Sequence, residues 1–174
     1  IEASDAIPMW VADMDFAAPP GVTAALLAET RRAVHGYYAD TGSWATALTD
    51  WMQRRHDLRL DPGWVTATPG IVAGLGLILQ ALSAPGDEVV VFPPVYHAFR
   101  RIILANERRI LDAPLVERDG RYSMPLEALR PRLTPRTKVV FFCSPHNPGG
   151  TVWTVDEIRA LAADVLAGIA PEAD

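Results

Sequence analysis

From residue 64 onward, short apolar runs alternate with longer stretches whose apolar side chains recur every three or four positions. "WVTAT" at 64–68, "EVVVF" at 88–92, "RRILDAPL" at 108–115 and "KVVFFCS" at 138–144 read as strands. Between and after them, "GIVAGLGLILQALSA" at 70–84, "PPVYHAFRRIILANE" at 93–107, "PLEALRPRL" at 125–133 and "TVDEIRALAADVLAG" at 154–168 read as helices, the last with Asp156 and Glu157 in its first turn. "ERDGRYS" at 117–123 is a polar turn around Asp119-Gly120. Uninterrupted β-branched strands alternating with helices predict an α/β fold, a mostly parallel sheet flanked by helices on both faces.

Upstream the pattern is different. "IPMWVADMDFAAPP" at 7–20 reads as an irregular N-terminal arm, and its closing Pro19-Pro20 is placed to start a helix. Val22, Ala25, Leu26 and Ala33 carry that helix toward Gly36. Ser43 is a candidate N-cap for a second helix with Trp44, Leu48, Trp51, Met52 and Leu58 on its apolar side. "DPG" at 61–63 is a turn.

Composition narrows the function classes. A chain of 174 residues that is 49% apolar can bury a core, and a net charge of −5 argues against a nucleic-acid or anionic-membrane partner. Cys143 stands alone, so no intrachain disulfide forms and a reducing, cytoplasmic setting is expected. No apolar run is long enough to span a membrane, no basic segment followed by an apolar core opens the chain, and no metal site is predicted. Fifteen arginines stand against one lysine, Lys138.

In a parallel sheet, ligands sit beyond the carboxyl ends of the strands, and three loops leave those ends here. In "TPGIVAG" at 68–74, free N–H groups at Gly70, Ile71 and Val72 at a helix start suit a phosphate, although an ordinary strand-to-helix turn has the same look. In "PPVYHAF" at 93–99, Tyr96 could lay its ring on a planar ligand or serve as a half-buried core aromatic. In "SPHNPGG" at 144–150, two prolines hold Asn147 on a stiff stalk, where its amide faces a ligand or closes an Asx-turn on its own backbone. His35, His56 and His146 read as solvated.

Five blocks carry a resemblance: "PMWVADMDF" at 8–16, "GYY" at 36–38, "TPGIVAGL" at 68–75, "PPVYHAF" at 93–99 and "CSPHNPGGTVWT" at 143–154. In order and separation they resemble the front part of a fold-type-I pyridoxal-phosphate enzyme of the class I/II aminotransferase superfamily, nearest the cystathionine β-lyase group of the MalY/PatB type. The resemblance implies that residues 1–35 are an arm and helix of a smaller domain, and residues 36–174 an incomplete cofactor-binding large domain. It implies pyridoxal 5′-phosphate held by the backbone amides of Gly70, Ile71 and Val72, stacked on Tyr96, and bonded at its phenolic oxygen by Asn147, with Asn147-Pro148 a candidate cis bond. Tyr37 would reach the phosphate of a neighbouring subunit, which implies a homodimer acting on a small amino-acid substrate. The implied reaction is β-elimination from cystathionine or a cysteine S-conjugate, giving pyruvate, ammonia and a thiol. An aminotransferase is the alternative, and a non-catalytic regulatory or binding remnant is a second.

The sequence departs from the resembling family in one respect. The Schiff-base lysine, the aspartate paired with the ring nitrogen and the carboxylate-binding arginine all belong downstream of the last matched block. The expectation is therefore an N-terminal fragment with no catalytic residue of its own, inactive by itself. Lys138 opens a strand at the end opposite the crevice and reads as solvent-facing.

Overall fold

The computed structural model describes residue 7, residues 10–37 and residues 42–169. The chain divides into two compact units, residues 1–66 and 67–174.

In the first unit the arm stays irregular, and α1 (Pro20–Arg31) begins with proline at its first position, where the ring costs no hydrogen bond. Helix α2 (Gly42–His56) buries Ala45 and Thr49 and packs on the short 3-10 turn Pro62–Trp64. Ser43 is not a cap: it lies inside the first turn of α2, which already starts at Gly42. Asp61 accepts a hydrogen bond from Gly63 N–H at 2.8 Å, closing the expected turn. "WVTAT" is not a strand. Val65 is extended, but no described residue pairs with it, and a strand exists only where a neighbour completes its ladder.

The second unit is built on a parallel sheet of order β2-β1-β5, from β1 (Glu88–Val91), β2 (Arg109–Asp112) and β5 (Thr137–Val140). Successive side chains of β1 point to opposite faces. Val89 and Val91 pack with Leu79 of α3 (Ile71–Leu82) and with Phe99 and Ile103 of α4 (His97–Ala105). Val90 and Phe92 pack with Leu129 of α5 (Leu126–Leu129), with Trp153, and with Leu161 of α6 (Val155–Ile169). Both faces are thus covered, as the unbroken apolar run from Val89 to Phe92 predicts, and each fully buried side chain contributes about 1.5–3 kcal/mol.

Three local features go beyond the sequence expectation. The polar turn at 117–123 is a hairpin, β3 (Val116–Arg118) with β4 (Arg121–Ser123), turning through Asp119 and Gly120 at φ 51° and 76°. Positive φ at both central residues is the turn that matches strand twist, and Asp-Gly is a favoured pair for it. Between β1 and β5 the register slips: Glu88 faces Thr137 and Val89 faces Val139, so Lys138 is the extra residue of a bulge and is exposed. Finally, the buried Arg108 guanidinium donates to the Leu79 and Ser83 carbonyls at the end of α3 and to the Asn106 carbonyl that follows α4, tying the two helix ends together.

Strand order decides where a ligand crevice opens. The chain leaves β1 through α4 on one face and leaves β5 through α6 on the other. In open parallel sheets, ligands bind beyond the carboxyl ends of adjacent strands whose following loops part to opposite faces, which here points to the loops at 92–96 and 141–154.

Candidate functional site

The loop entering α3 places Gly70 at φ 106° and ψ 153°. This bends the chain so that Gly70 N–H turns back to the Thr68 carbonyl at 2.7 Å, while Thr68 Oγ1 donates to the Gly70 carbonyl at 3.0 Å. Helical bonding begins with Gly74 N–H to the Gly70 carbonyl at 3.1 Å. The amides with no partner among the described residues are therefore those of Ile71, Val72 and Ala73, one position later than the expected set of Gly70, Ile71 and Val72. Aligned at a helix start, they form a positive, donor-rich end suited to a phosphate. Gly74 allows the close approach of Thr68, whose Oγ1 would lie 3.0 Å from a Cβ there.

After β1, Pro93, Pro94 and Val95 lead to Tyr96, the residue preceding the first turn of α4. Its ring is half-buried and held edge-on by Phe99 at 5.8 Å and His97 at 4.9 Å between centroids. Tyr96 and Val72 line one cleft of about 410 Å³ between α3 and α4, with His97, Arg101 and Ile102 along its length.

After β5, the loop 141–154 folds back on itself. His146 N–H donates to the Thr151 carbonyl at 2.8 Å, and Gly150 N–H to the His146 carbonyl at 2.6 Å. Asn147 projects from this closed turn, exposed, with its side-chain amide making no hydrogen bond among the described residues. No Asx-turn to its own backbone forms. The Asn147-Pro148 peptide is cis, as are Ser144-Pro145 and Pro93-Pro94.

The two loops are joined. Val95 and Pro148 form an isolated antiparallel bridge, which sets Tyr96 and Asn147 each one residue from a shared contact. His146 contradicts its reading as a solvated histidine: it is buried, its Nε2 lies 2.8 Å from the Pro94 carbonyl, and its ring meets Trp153 edge-on at 5.8 Å. Trp153, buried in turn, donates its indole N–H to the Cys143 carbonyl at 2.8 Å. The one available signal for His146 was its place inside the Pro145–Pro148 bracket, directly before the residue the loop presents.

Behind the loop, Thr154 and Glu157 form a capping box at the start of α6: Glu157 accepts from Thr154 N–H, and Thr154 Oγ1 accepts from Glu157 N–H. Arg121 of β4 grips the same carboxylate with two bonds of 2.8 and 2.7 Å. That guanidinium, then the Thr154 amide, hold the Glu157 carboxyl down at about 2. Tyr37 belongs to the first unit, where its side chain is fully exposed. Lys138 stays at the amino end of β5. Among the described residues no acidic, histidine or cysteine cluster could hold a metal, and no helix is long and apolar enough to cross a membrane.

An open parallel sheet covered by helices on both faces defines a class, the α/β units; here donor amides stand at the start of α3, and an aromatic ring and an unpaired amide stand on the two bridged loops that follow β1 and β5. The family is equally plain: residues 7–169 match the aminotransferase class I and II family, and the chain belongs to it. The cystathionine β-lyase PatB of Bacillus subtilis (strain 168) is 41% identical over 159 residues, covering 91% of this chain and 41% of that protein. The structure of cystalysin from Treponema denticola, which contains a pyridoxal 5′-phosphate cofactor, superposes with a TM-score of 0.85 at 33% identity, covering 94% of this chain and 42% of that one. The pyridoxal-phosphate-bound C-S lyase from Staphylococcus hominis gives a TM-score of 0.84 at 28% identity, over 92% of this chain and 42% of that one. The chain thus spans about two-fifths of the length of the relatives it matches.

Proposed function

We propose that the longer protein carrying this chain is a pyridoxal-phosphate-dependent carbon–sulfur β-lyase, converting cystathionine or a cysteine S-conjugate to pyruvate, ammonia and a thiol. The observation that carries this reading is the Val95–Pro148 bridge, which joins the loop of Tyr96 to the loop of an otherwise unpaired Asn147 amide. The residues suit the cofactor's three chemical faces. The amides of Ile71, Val72 and Ala73 answer a phosphate, the Tyr96 ring answers a flat heteroaromatic, and the Asn147 amide answers a ring oxygen. When bound, the cofactor supplies an electron sink for charge that builds at the substrate Cα as its proton leaves. This chain's part is to hold that ring still, so that the breaking bond stays aligned with it. Likeness to relatives named for carbon–sulfur lyase activity favours elimination over transamination.

Two further parts of the reading concern assembly and completeness. The exposed Tyr37 ring would be offered to the phosphate of a second copy, making the protein a homodimer with shared sites. The chain of 174 residues on its own would be inactive, because its one lysine, Lys138, sits on a bulge at the amino end of β5. Assay of the full-length protein for pyruvate from cystathionine, against keto-acid formation from an amino donor, tests the activity. Pyruvate release dependent on added pyridoxal phosphate is the expected result, and transamination alone would overturn it. Borohydride treatment of this chain mixed with the cofactor is expected to leave no adduct at one specific residue.

A further inference from the structure

The buried histidine of the third loop takes no part in the proposed grip on the cofactor, and its position is the least expected feature of the site. A backbone carbonyl can only accept, so the 2.8 Å contact with Pro94 requires His146 Nε2 to carry its proton. That bond spans fifty-two positions of sequence. It ends two residues before Tyr96 on one side and begins one residue before Asn147 on the other. The ring is buried to 3% exposure and held at its edge by Trp153, while both backbone groups of His146 are committed within the 146–151 turn. The histidine end of the contact is thus held in place.

We propose that His146 is a positioning residue, whose Nε2–H bond to the Pro94 carbonyl sets the separation between the Tyr96 ring and the Asn147 amide. The inference rests on the reading of that crevice as the cofactor site. Its chemical content goes beyond packing: the bond supplies a directional donor across two loops whose one backbone bridge among the described residues is Val95–Pro148. A side chain of equal bulk without the donor would keep the core filled and lose the register between the loops. A buried acceptor left without its donor also favours a shifted loop in which water reaches the carbonyl.

The test compares His146→Leu with His146→Gln in the full-length protein, since the glutamine amide can stand in for Nε2–H. Three readings are taken: the dissociation constant for pyridoxal phosphate, the visible absorption band of the bound cofactor, and the melting temperature. The leucine variant is expected to bind about ten-fold more weakly, equivalent to about 1.4 kcal/mol, with a displaced absorption band, and glutamine to restore most of both. A leucine variant with wild-type affinity and band overturns the proposal, as does a glutamine variant no better than leucine. Should leucine prevent folding, His146→Asn takes its place beside glutamine, because its amide is too short to span the gap, and the same two outcomes overturn the proposal. Failure of the unaltered protein to bind pyridoxal phosphate would instead overturn the assignment of the crevice to that cofactor.

Discussion

At Gly70 the backbone occupies φ 106° and ψ 153°, a region essentially closed to residues with a Cβ, although the space around that missing atom is empty. Strain and crowding are therefore separable at this position. Gly70→Ala is expected to cost about 1–3 kcal/mol of stability by denaturant unfolding, and to weaken cofactor binding as the amides of Ile71–Ala73 turn away. Unchanged stability and affinity would show that the loop relaxes freely. The loop positions of Tyr96 and Asn147 were legible in the sequence because local chemistry marks them: prolines stand beside each, and a helix starts just after Tyr96. The free amide of Ala73 was missed because it depends on Gly70 N–H turning inward to Thr68. His146 was missed because burial is decided by a partner fifty-two residues away, which no local pattern encodes.

Elements behind the site act as its buttress. The β3–β4 hairpin lays Tyr122 so close to the third loop that a Cβ at Gly149 would lie 2.7 Å from the ring. Gly149→Ala is expected to destabilise the full-length protein by about 1–3 kcal/mol, and Tyr122→Leu added to it to recover part of that loss. Strictly additive melting data would remove the hairpin from the support of the loop. The hairpin itself escaped the sequence reading because its strands are short and mostly polar, so no two-residue alternation announces them. Its other anchor is the bidentate Arg121–Glu157 pair. Since the folded carboxyl sits at about 2 against an ordinary 4.5, its contribution is complete above the ordinary value and disappears as pH falls toward 2. Carboxyl NMR should place the Glu157 midpoint near 2, and Arg121→Leu should move it upward; an unmoved midpoint would separate the two residues. The melting difference between the unaltered protein and Glu157→Gln should likewise shrink on acidification.

For the molecule as a whole, the α/β class was readable because strands buried on two faces leave runs such as "EVVVF" that amphipathic segments do not. "WVTAT" misled for the converse reason: composition can mark a strand, but pairing makes one, and no described residue pairs with it. The same logic predicts how this chain behaves without the rest of a longer protein. Strands β2 and β5 each have a partner on one side only among the described residues, and Ile71, Leu77, Ile78 and Leu82 of α3 are exposed, as are Leu26 and Leu27 of α1. Expressed by itself, the chain is expected to bind a hydrophobic dye and self-associate, measured by fluorescence and light scattering, where the full-length protein does neither. A monodisperse, dye-silent chain would mean those surfaces are closed by other means.

The arrangement around Trp153 has a practical consequence. Four tryptophans, Trp10, Trp44, Trp51 and Trp64, face solvent, whereas Trp153 is enclosed beneath the third loop with its indole tied to Cys143 and its edge against His146. A soluble quencher is expected to silence the outer four first, leaving a blue-shifted glow from one indole that touches the residue joining both loops. The protein thus contains its own optical gauge for the integrity of the crevice, one that needs no label and can be read before any ligand is added.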